Sequence, residues 1–282
     1  MSIIESIVLG LVQGITEFLP ISSTGHLTLA GKVMGLISEE NPEHWTSFIA
    51  VIQLGTMISI LVYFWKDLWN IFIEFVNNNV QKRVKYSDQP LNSKLGWMII
   101  AGTIPIIVIG LLFKDIIEGA LTKNLYVISG SLIILALILA VAEKTAGFKK
   151  EMKDLTFMDS ILVGLAQAVA LIPGSSRSGT TITGGLFLGM KRDVAARFSF
   201  LLSVPAVLAS GLLQLKESLK FINYDLALNM IVATIVAGIS GYLAIDLLLK
   251  FLKKNTTFVF IFYRILLGVL ILILLYSNII KP

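Results

Sequence analysis

The sequence predicts an all-α polytopic membrane protein, an inverted repeat in which each half is a broken re-entrant helical hairpin followed by three transmembrane helices. Three observations lead there. Of the 282 residues, 56% are hydrophobic and 15% charged, with a mean hydropathy of +0.85; ordinary soluble domains carry about 25% charged residues. Six apolar stretches, at about 48–65, 96–113, 125–142, 197–215, 226–249 and 258–277, come close to or exceed the roughly 20 residues that cross about 30 Å of hydrocarbon. Two further apolar runs, 3–36 and 159–190, are interrupted at Pro20–His26 and Pro173–Thr181 by Pro, Gly, Ser and Thr.

Each interruption divides its run into two half-length helices. Backbone groups freed at such a break cannot face lipid, so both segments are expected inside the protein or along a watery cavity. Residues 67–94, with Asn77, Asn78, Asn79, Lys82, Arg83 and Lys85, read as an interfacial helix plus loop. Gly102, Pro105 and Pro205 are expected to kink spans near the site. No soluble domain is legible, so residues 1–282 form one membrane domain, with repeat 1 at about 3–143 and repeat 2 at about 159–277. The first residues carry no basic region ahead of the apolar run and no small-residue cleavage site, so they are expected to belong to the mature protein.

The repeat is read from the two broken runs. At a shift of 154 residues, Ser6, Ile7, Gly10, Leu11 and Gln13 match Ser160, Ile161, Gly164, Leu165 and Gln167, and Ser22 and Gly25 match Ser176 and Gly179. Glu5 faces Asp159 in the same register. Three crossings after each hairpin turn the second copy upside down, an architecture that places a site at the midplane between copies.

Charge excludes several classes. There is no cysteine, hence no disulfide, iron–sulfur cluster or thiolate zinc site, and the histidines His26 and His44 are too few for a histidine metal cage. The net charge of +5 does not signal nucleic acid, because the basic residues lie in short loops between spans. With re-entrant hairpins, one side collects 14 basic residues, among them Lys82, Arg83, Lys85, Lys149 and Lys150; the other collects 5, Lys114, Lys123, Lys216, Lys220 and Lys281. The richer side is expected to be cytoplasmic. Both termini, the loop with Glu39, Glu40 and Glu43, and the mouth of the first hairpin then lie outside.

Gln13 and Glu17 are four residues apart on the first half-helix and so share a face. A carboxylate at membrane depth costs about 2.5–3.5 kcal/mol on the insertion scale, so Glu17 requires a partner, a cation or water. After Pro20 comes Ser22-Ser23-Thr24-Gly25-His26, the start of a second half-helix whose first-turn amides form an anion site; a helix cap is the alternative role for Ser22 and Thr24, and Ser23 and His26 share a face. In the second break, Pro173-Gly174-Ser175-Ser176-Arg177-Ser178-Gly179-Thr180-Thr181, Gly174 permits a tight turn and Arg177 supplies a charged fork for two phosphate oxygens. That segment reads as a phosphate nest, with pairing of Arg177 to Glu17 compatible with it. Gln53, Gln214, Asp246 and Arg264 are expected to bind helix to helix or to snorkel.

The stretches Gln13-Gly14-Ile15-Thr16-Glu17-Phe18-Leu19-Pro20-Ile21-Ser22-Ser23-Thr24-Gly25-His26 and Pro173-Gly174-Ser175-Ser176-Arg177-Ser178-Gly179 resemble those of the undecaprenyl-diphosphate phosphatase family, also called the bacitracin-resistance family, over essentially the whole chain. The resemblance implies a bacterial plasma-membrane enzyme that removes one phosphate from undecaprenyl diphosphate, regenerating the carrier for peptidoglycan synthesis, with a site open to the outer face. Carried over by position, the acidic motif falls on Gln13 and Glu17, the Ser-His pair on Ser23 and His26, and the phosphate loop on Ser176, Arg177 and Thr181. The family tolerates Glu or Gln at the first acidic position, and this chain, with Gln13, has one carboxylate fewer.

The resemblance also implies a divalent cation, Mg²⁺ or Ca²⁺, bridging Glu17 and the phosphates, and a polyprenyl diphosphate lipid as partner. Substrate contacts are expected from Gln13, Ser22, Thr24, Gly174, Ser175, Ser176, Ser178 and Thr181, and catalysis from Glu17, Ser23, His26 and Arg177. Three attacking groups remain open: Ser23 with its proton passing to His26 or Glu17, His26 itself, or a water activated by Glu17. The competing class is a transporter or flippase of an anionic polyprenyl phosphate lipid, because broken helices in inverted repeats also build transporters. The oligomeric state is open, and a homodimer is compatible with the sequence.

Overall fold

The computed structural model describes residues 1–37, 42–113, 124–218 and 224–280. Among them are eleven α-helices, and the only β pairing is a single Lys150–Met190 bridge. In chain order the helices are α1 (Ile3–Phe18), α2 (Ser23–Val33), α3 (Pro42–Tyr63), α4 (Trp65–Val76), α5 (Leu91–Leu112), α6 (Leu125–Thr145), α7 (Phe157–Ala168), α8 (Arg177–Phe187), α9 (Arg192–Ser218), α10 (Tyr224–Leu252) and α11 (Phe258–Tyr276). Six of them, α3, α5, α6, α9, α10 and α11, are long and apolar enough to cross a membrane. They coincide with the six predicted spans. Several extend a turn further: α5, for example, begins at Leu91, directly after Pro90, ahead of the apolar stretch. Both α5 and α9 run on through Pro105 and Pro205. Of the residues used for the charge tally, Lys114, Lys123, Lys220 and Lys281 lie outside the described residues, as do Glu39 and Glu40.

Each broken run folds into two short helices, α1 and α2 in the first, α7 and α8 in the second. The break has the same cause in both. Leu19 and Ile172 precede a proline and take extended backbone angles (ψ 139° and 125°), since the proline ring disfavours helical geometry in the residue before it. The starts are alike as well. Ser2 and Glu5 form a reciprocal capping box at α1, and Thr156 and Asp159 form one at α7. Ser22 and Ser176 then cap α2 and α8 from positive-φ conformations. The capping boxes and the serine caps recur at the shift of 154 seen in the sequence, and the two proline breaks at 153.

The packing partners are reciprocal. The first hairpin's α1 lies on α10, and the second hairpin's α7 lies on α5. Both contacts use glycine to let backbones touch, as expected where helices associate without a hydrophobic driving force. A Cβ on Gly14 would meet Ser240 Oγ at 2.0 Å and the Ala237 carbonyl at 2.6 Å, and one on Gly164 would meet the Gly102 carbonyl at 2.2 Å. Gly102 serves close packing, since a Cβ there would meet the Ser160 carbonyl at 2.6 Å. Next to Glu17, Phe18 is wholly buried against Phe200, edge to face at 5.3 Å, which fixes the end of α1.

Away from the hairpin breaks, polar side chains fasten the loops. Glu143 of α6 is buried and accepts from Arg192 Nε at 2.8 Å and from Thr257 Oγ1 at 2.9 Å. The Arg192 guanidinium also lies 3.8 Å from the centre of the Phe148 ring. These contacts join the ends of α6, α9 and α11, so the second hairpin is held at its outer ends while its broken middle meets the first.

Candidate active site

The two breaks converge on one carboxylate. Glu17, in the last turn of α1, is 6% exposed and accepts four side-chain donors from three segments of the chain. Its Oε1 receives Arg177 Nη2 at 2.7 Å and Gln53 Nε2 at 2.9 Å. Its Oε2 receives Ser23 Oγ at 2.7 Å and Gln13 Nε2 at 3.1 Å. The predicted shared face of Gln13 and Glu17 is thus a direct hydrogen bond, and Gln13 Nε2 also approaches Thr56 Oγ1 at 3.4 Å. Charge-assisted bonds of this kind are the strong ones, and they satisfy a charge that could not otherwise be retained at this depth.

Arg177 begins α8 and faces Glu17 across the break. Only Nη2 of its guanidinium is bonded; Nε and Nη1 are buried without a partner in the protein. A guanidinium offers five donors in a fixed fork, so this one is incompletely used. Behind it, Ser178 Oγ donates to the Leu19 carbonyl at 3.0 Å, which ties the start of α8 to the end of α1. Thr181 Oγ1 donates to the Arg177 carbonyl at 2.7 Å and shares a short hydrogen bond with Ser199 of α9.

Beside this contact lies a cavity of about 550 Å³. Glu17, Ser22, Ser23, Thr24, Gly174, Ser175, Ser176, Arg177 and Gln53 line its polar end, and Ile106, Ile107, Leu111, Val207 and Leu213 belong to its apolar wall. The cavity thus joins an anion-binding end to an oily flank. Gln13, Ser178 and Thr181 do not line it; they brace the residues that do. His26 does not line it either. Its Nδ1 faces the Ser22 carbonyl at 2.7 Å and its Nε2 the Tyr263 hydroxyl at 2.7 Å, with the two rings stacked 5.6 Å apart. A carbonyl only accepts, so Nδ1 carries the proton and Nε2 accepts from Tyr263. Of the two partners open to Ser23, His26 and Glu17, the structure places it on Glu17.

The second break is clamped from below. At Gly174, φ is +82°, and a Cβ there would lie 2.4 Å from Ser131 Oγ; only glycine fits. Ser131 Oγ donates to the Pro173 carbonyl in a short bond. Arg264 of α11, wholly buried, donates to the Ser175 carbonyl at 2.9 Å, while its Nε and Nη1 are unpartnered. No carboxylate pairs with Arg264 among the described residues, so its guanidinium charge contributes a positive field under the loop. The site then holds two guanidiniums and two helix N-termini against one carboxylate, an arrangement that favours an anion.

For a cation, the donor set is oxygen. Among the described residues no three of His, Cys, Asp and Glu cluster, and Glu17 is the one carboxylate lining the cavity. That set suits Mg²⁺ or Ca²⁺ shared with phosphate oxygens and water, the usual arrangement for Mg²⁺ beside a phosphorylated substrate. It does not suit a closed protein cage.

Gln53 and Arg264 bind one segment to another as expected, and the groups they bind belong to the site: Glu17 for Gln53 and the Ser175 carbonyl for Arg264. Gln53 had a signal in Thr56, three residues on and therefore on the same helix face, and Arg264 in its position within an otherwise apolar helix. Tyr263 gave none, since only the fold brings it to His26. Gln214 also lines the cavity and accepts from Ser47 Oγ at 3.4 Å, whereas Asp246 bonds to Lys250 and Tyr63 and has the structural role expected for it.

Comparison with known proteins gives a concordant result. Residues 6–270 match the sequence model of a family described as bacitracin resistance protein BacA. An undecaprenyl-diphosphatase of Syntrophobacter fumaroxidans is 55% identical over 268 residues, 95% of each chain. One from Pelodictyon phaeoclathratiforme is 48% identical over the full length of both chains. A third, from Myxococcus xanthus, is 48% identical over 282 residues, 100% of this chain and 92% of its own.

Proposed function

Because the chain belongs to the bacitracin resistance protein BacA family, we propose that it hydrolyses undecaprenyl diphosphate to undecaprenyl phosphate and inorganic phosphate. The observation that carries this reading is the four-donor Glu17 carboxylate set against a half-used Arg177 at the polar end of a cavity with an apolar flank. The diphosphate meets Arg177 Nε and Nη1 and the first-turn amides of α2 and α8, and the polyprenyl chain follows Ile106, Leu111 and Leu213. Positioning and charge neutralisation supply most of the acceleration in phosphoryl transfer.

Ser23 is the attacking group and Glu17 its base. The Ser23 hydroxyl already donates to Glu17 Oε2, so the proton passes to that carboxylate as Oγ bonds to the terminal phosphorus. The bond from that phosphorus to the bridging oxygen breaks, and undecaprenyl phosphate departs with the proton from Glu17, which restores the carboxylate. Water then attacks the phosphoserine, restoring the Ser23 hydroxyl and releasing phosphate. Arg177 follows the charge from substrate oxygens to leaving group. His26, held by Ser22 and Tyr263, positions the α2 N-terminus. A divalent cation on Glu17 and the phosphate oxygens would supply further neutralisation of charge.

The setting proposed is a bacterial plasma membrane, crossed several times, with the site open to its outer face and the second half inverted relative to the first. The uneven distribution of Lys and Arg and the recurrence of the helix caps at a shift of 154 support it. The test is phosphate release from undecaprenyl diphosphate by purified protein in detergent, with Mg²⁺, Ca²⁺ or EDTA, beside folded Glu17→Ala and Arg177→Ala variants. Release by the native protein, lost in both variants, is expected; no release with any metal would return the assignment to lipid transport.

A further inference from the structure

A second cavity, also of about 550 Å³, lies away from the hairpin breaks where the segment after α4 meets α5 and the start of α7. Its lining is Asn79, Val84, Tyr86, Gln89, Trp97 and Phe157. The volume falls within the range of small-molecule sites, about 300–1,000 Å³. Trp97 is about 9 Å along α5 from its first residue at 1.5 Å per residue, which puts the cleft at the boundary between headgroups and acyl chains, where Trp and Tyr concentrate.

The polar side chains of the cleft are spent on one another. Asn79 Oδ1 accepts from Gln89 Nε2 at 2.8 Å and from Trp97 Nε1 at 2.9 Å, and Asn79 Nδ2 donates to the Phe75 carbonyl at 2.8 Å. Gln89 Nε2 also donates to the Val84 carbonyl, and Gln89 Oε1 accepts from Ser93 Oγ, each at 2.8 Å. What remains facing the space is the Trp97 ring, Val84, and the edge-to-face pair Tyr86 and Phe157, 6.1 Å apart. An occupant therefore needs an apolar body.

The rim is cationic. Lys82, Arg83 and Lys85 flank Val84 and are exposed, and the Lys94 ammonium stands 5.8 Å from the centre of the Tyr86 ring. From residue 82 to residue 94 the only carboxylate is Asp88, which accepts from Ser87 Oγ. The backbone that presents this rim is irregular: a π-helical turn at Asn77–Gln81 leads into Arg83, whose φ is +52°. Single π turns recur at functional sites, and a non-glycine residue in the left-handed region is uncommon.

We propose that this cleft binds an anionic phospholipid, with acyl chain against Trp97, Tyr86 and Phe157 and phosphate among Lys82, Arg83, Lys85 and Lys94. Charge complementarity selects the anionic headgroup, since basic residues next to a span attract anionic lipid, and the saturated polar floor selects the acyl chain. The site is independent of the phosphatase reading and of which leaflet it faces.

Trp97 reports the occupant. The full chain and its Trp97→Phe variant, in detergent, are titrated with acyl-brominated phosphatidylglycerol or phosphatidylcholine, and the difference in fluorescence isolates Trp97. Half-quenching is expected at about tenfold lower mole fraction of the anionic lipid, a preference abolished by Lys82→Gln/Arg83→Gln/Lys85→Gln with helicity and phosphatidylcholine quenching unchanged. A Lys253→Gln/Lys254→Gln control should retain it. Equal quenching by the two lipids, a preference that survives the triple change, or displacement of the brominated lipid by an equal mole fraction of undecaprenyl diphosphate would overturn the proposal.

Discussion

Ser22 and Ser176 take the same unusual backbone conformation, φ 76° and ψ 97° in one and φ 68° and ψ 108° in the other, and each Oγ accepts from the amide three residues on at 3.2 Å. The helices they start, α2 and α8, meet the Glu17 carboxylate through Ser23 and Arg177, the residues that directly follow the two caps. Two copies of one strained turn thus deliver different side chains to one point.

This relationship predicts an inverted order of tolerance at both caps. Replacing a capping serine by alanine costs about 1 kcal/mol and by glycine a few tenths, and at positive φ glycine also relieves the strain that alanine retains. Ser22→Ala and Ser176→Ala should therefore lower the thermal midpoint in detergent more than Ser22→Gly and Ser176→Gly. The opposite order would mean that the turn is held from outside and the cap contributes little.

Glu17 and Arg177 should separate stability from activity. Removing one partner of a buried ion pair costs about 3–5 kcal/mol because the other charge is stranded, while replacing both is often close to neutral. Glu17→Gln and Arg177→Met are each expected to lower the melting midpoint, and the double variant to recover most of that loss. Phosphate release should fall by at least about 10²-fold in all three, the scale of a lost general base. Arg177→Lys should retain more activity than Arg177→Met but less than the native protein, since lysine supplies charge without the fork.

Acid quenching during turnover of substrate labelled in its terminal phosphate should leave label on Ser23. Ser23→Ala is expected to carry none. Tyr263→Phe, which removes one hydrogen bond from His26, should cost about 0.5–1.5 kcal/mol of stability and still be labelled on Ser23. Label on His26 after a parallel alkaline quench, which preserves acid-labile phosphohistidine, or on neither residue under both quenches, would exclude the serine route.

Glycine contacts give a test of the packing alone. Gly164→Ala, whose Cβ would lie 2.2 Å from the Gly102 carbonyl, should destabilise by about 1–3 kcal/mol or more through overpacking. Gly130→Ala, in α6 with nothing within 4 Å of the new Cβ, should be neutral or stabilising by up to about 1 kcal/mol. Thermal midpoints of the two variants check the pair.

Much of this was legible before any folding was considered. Hydropathy located six spans because lipid demands an unbroken apolar run with its backbone bonds satisfied internally, and the prolines after Leu19 and Ile172 located both breaks. The spacing of Gln13 and Glu17 placed them on one face, and Pro173–Thr181 read as an anion loop from composition. Local rules suffice for each of these, because each concerns residues within a few positions of one another.

Tertiary structure decided the assignments that depend on distant residues. Ser23 and His26 share a short segment, yet Ser23 turns to Glu17 and His26 to Tyr263, a residue 237 positions away. Gln53 and Arg264 resemble ordinary polar residues of membrane helices until the bundle sets one against Glu17 and the other beneath Ser175. By itself the sequence determined which segments cross, which break, and that a buried carboxylate and a buried guanidinium each needed a partner. Which partner each received is a property of helix packing, where glycine contacts between α1 and α10 and between α7 and α5 bring the two breaks together, and no periodicity along one chain encodes that distance.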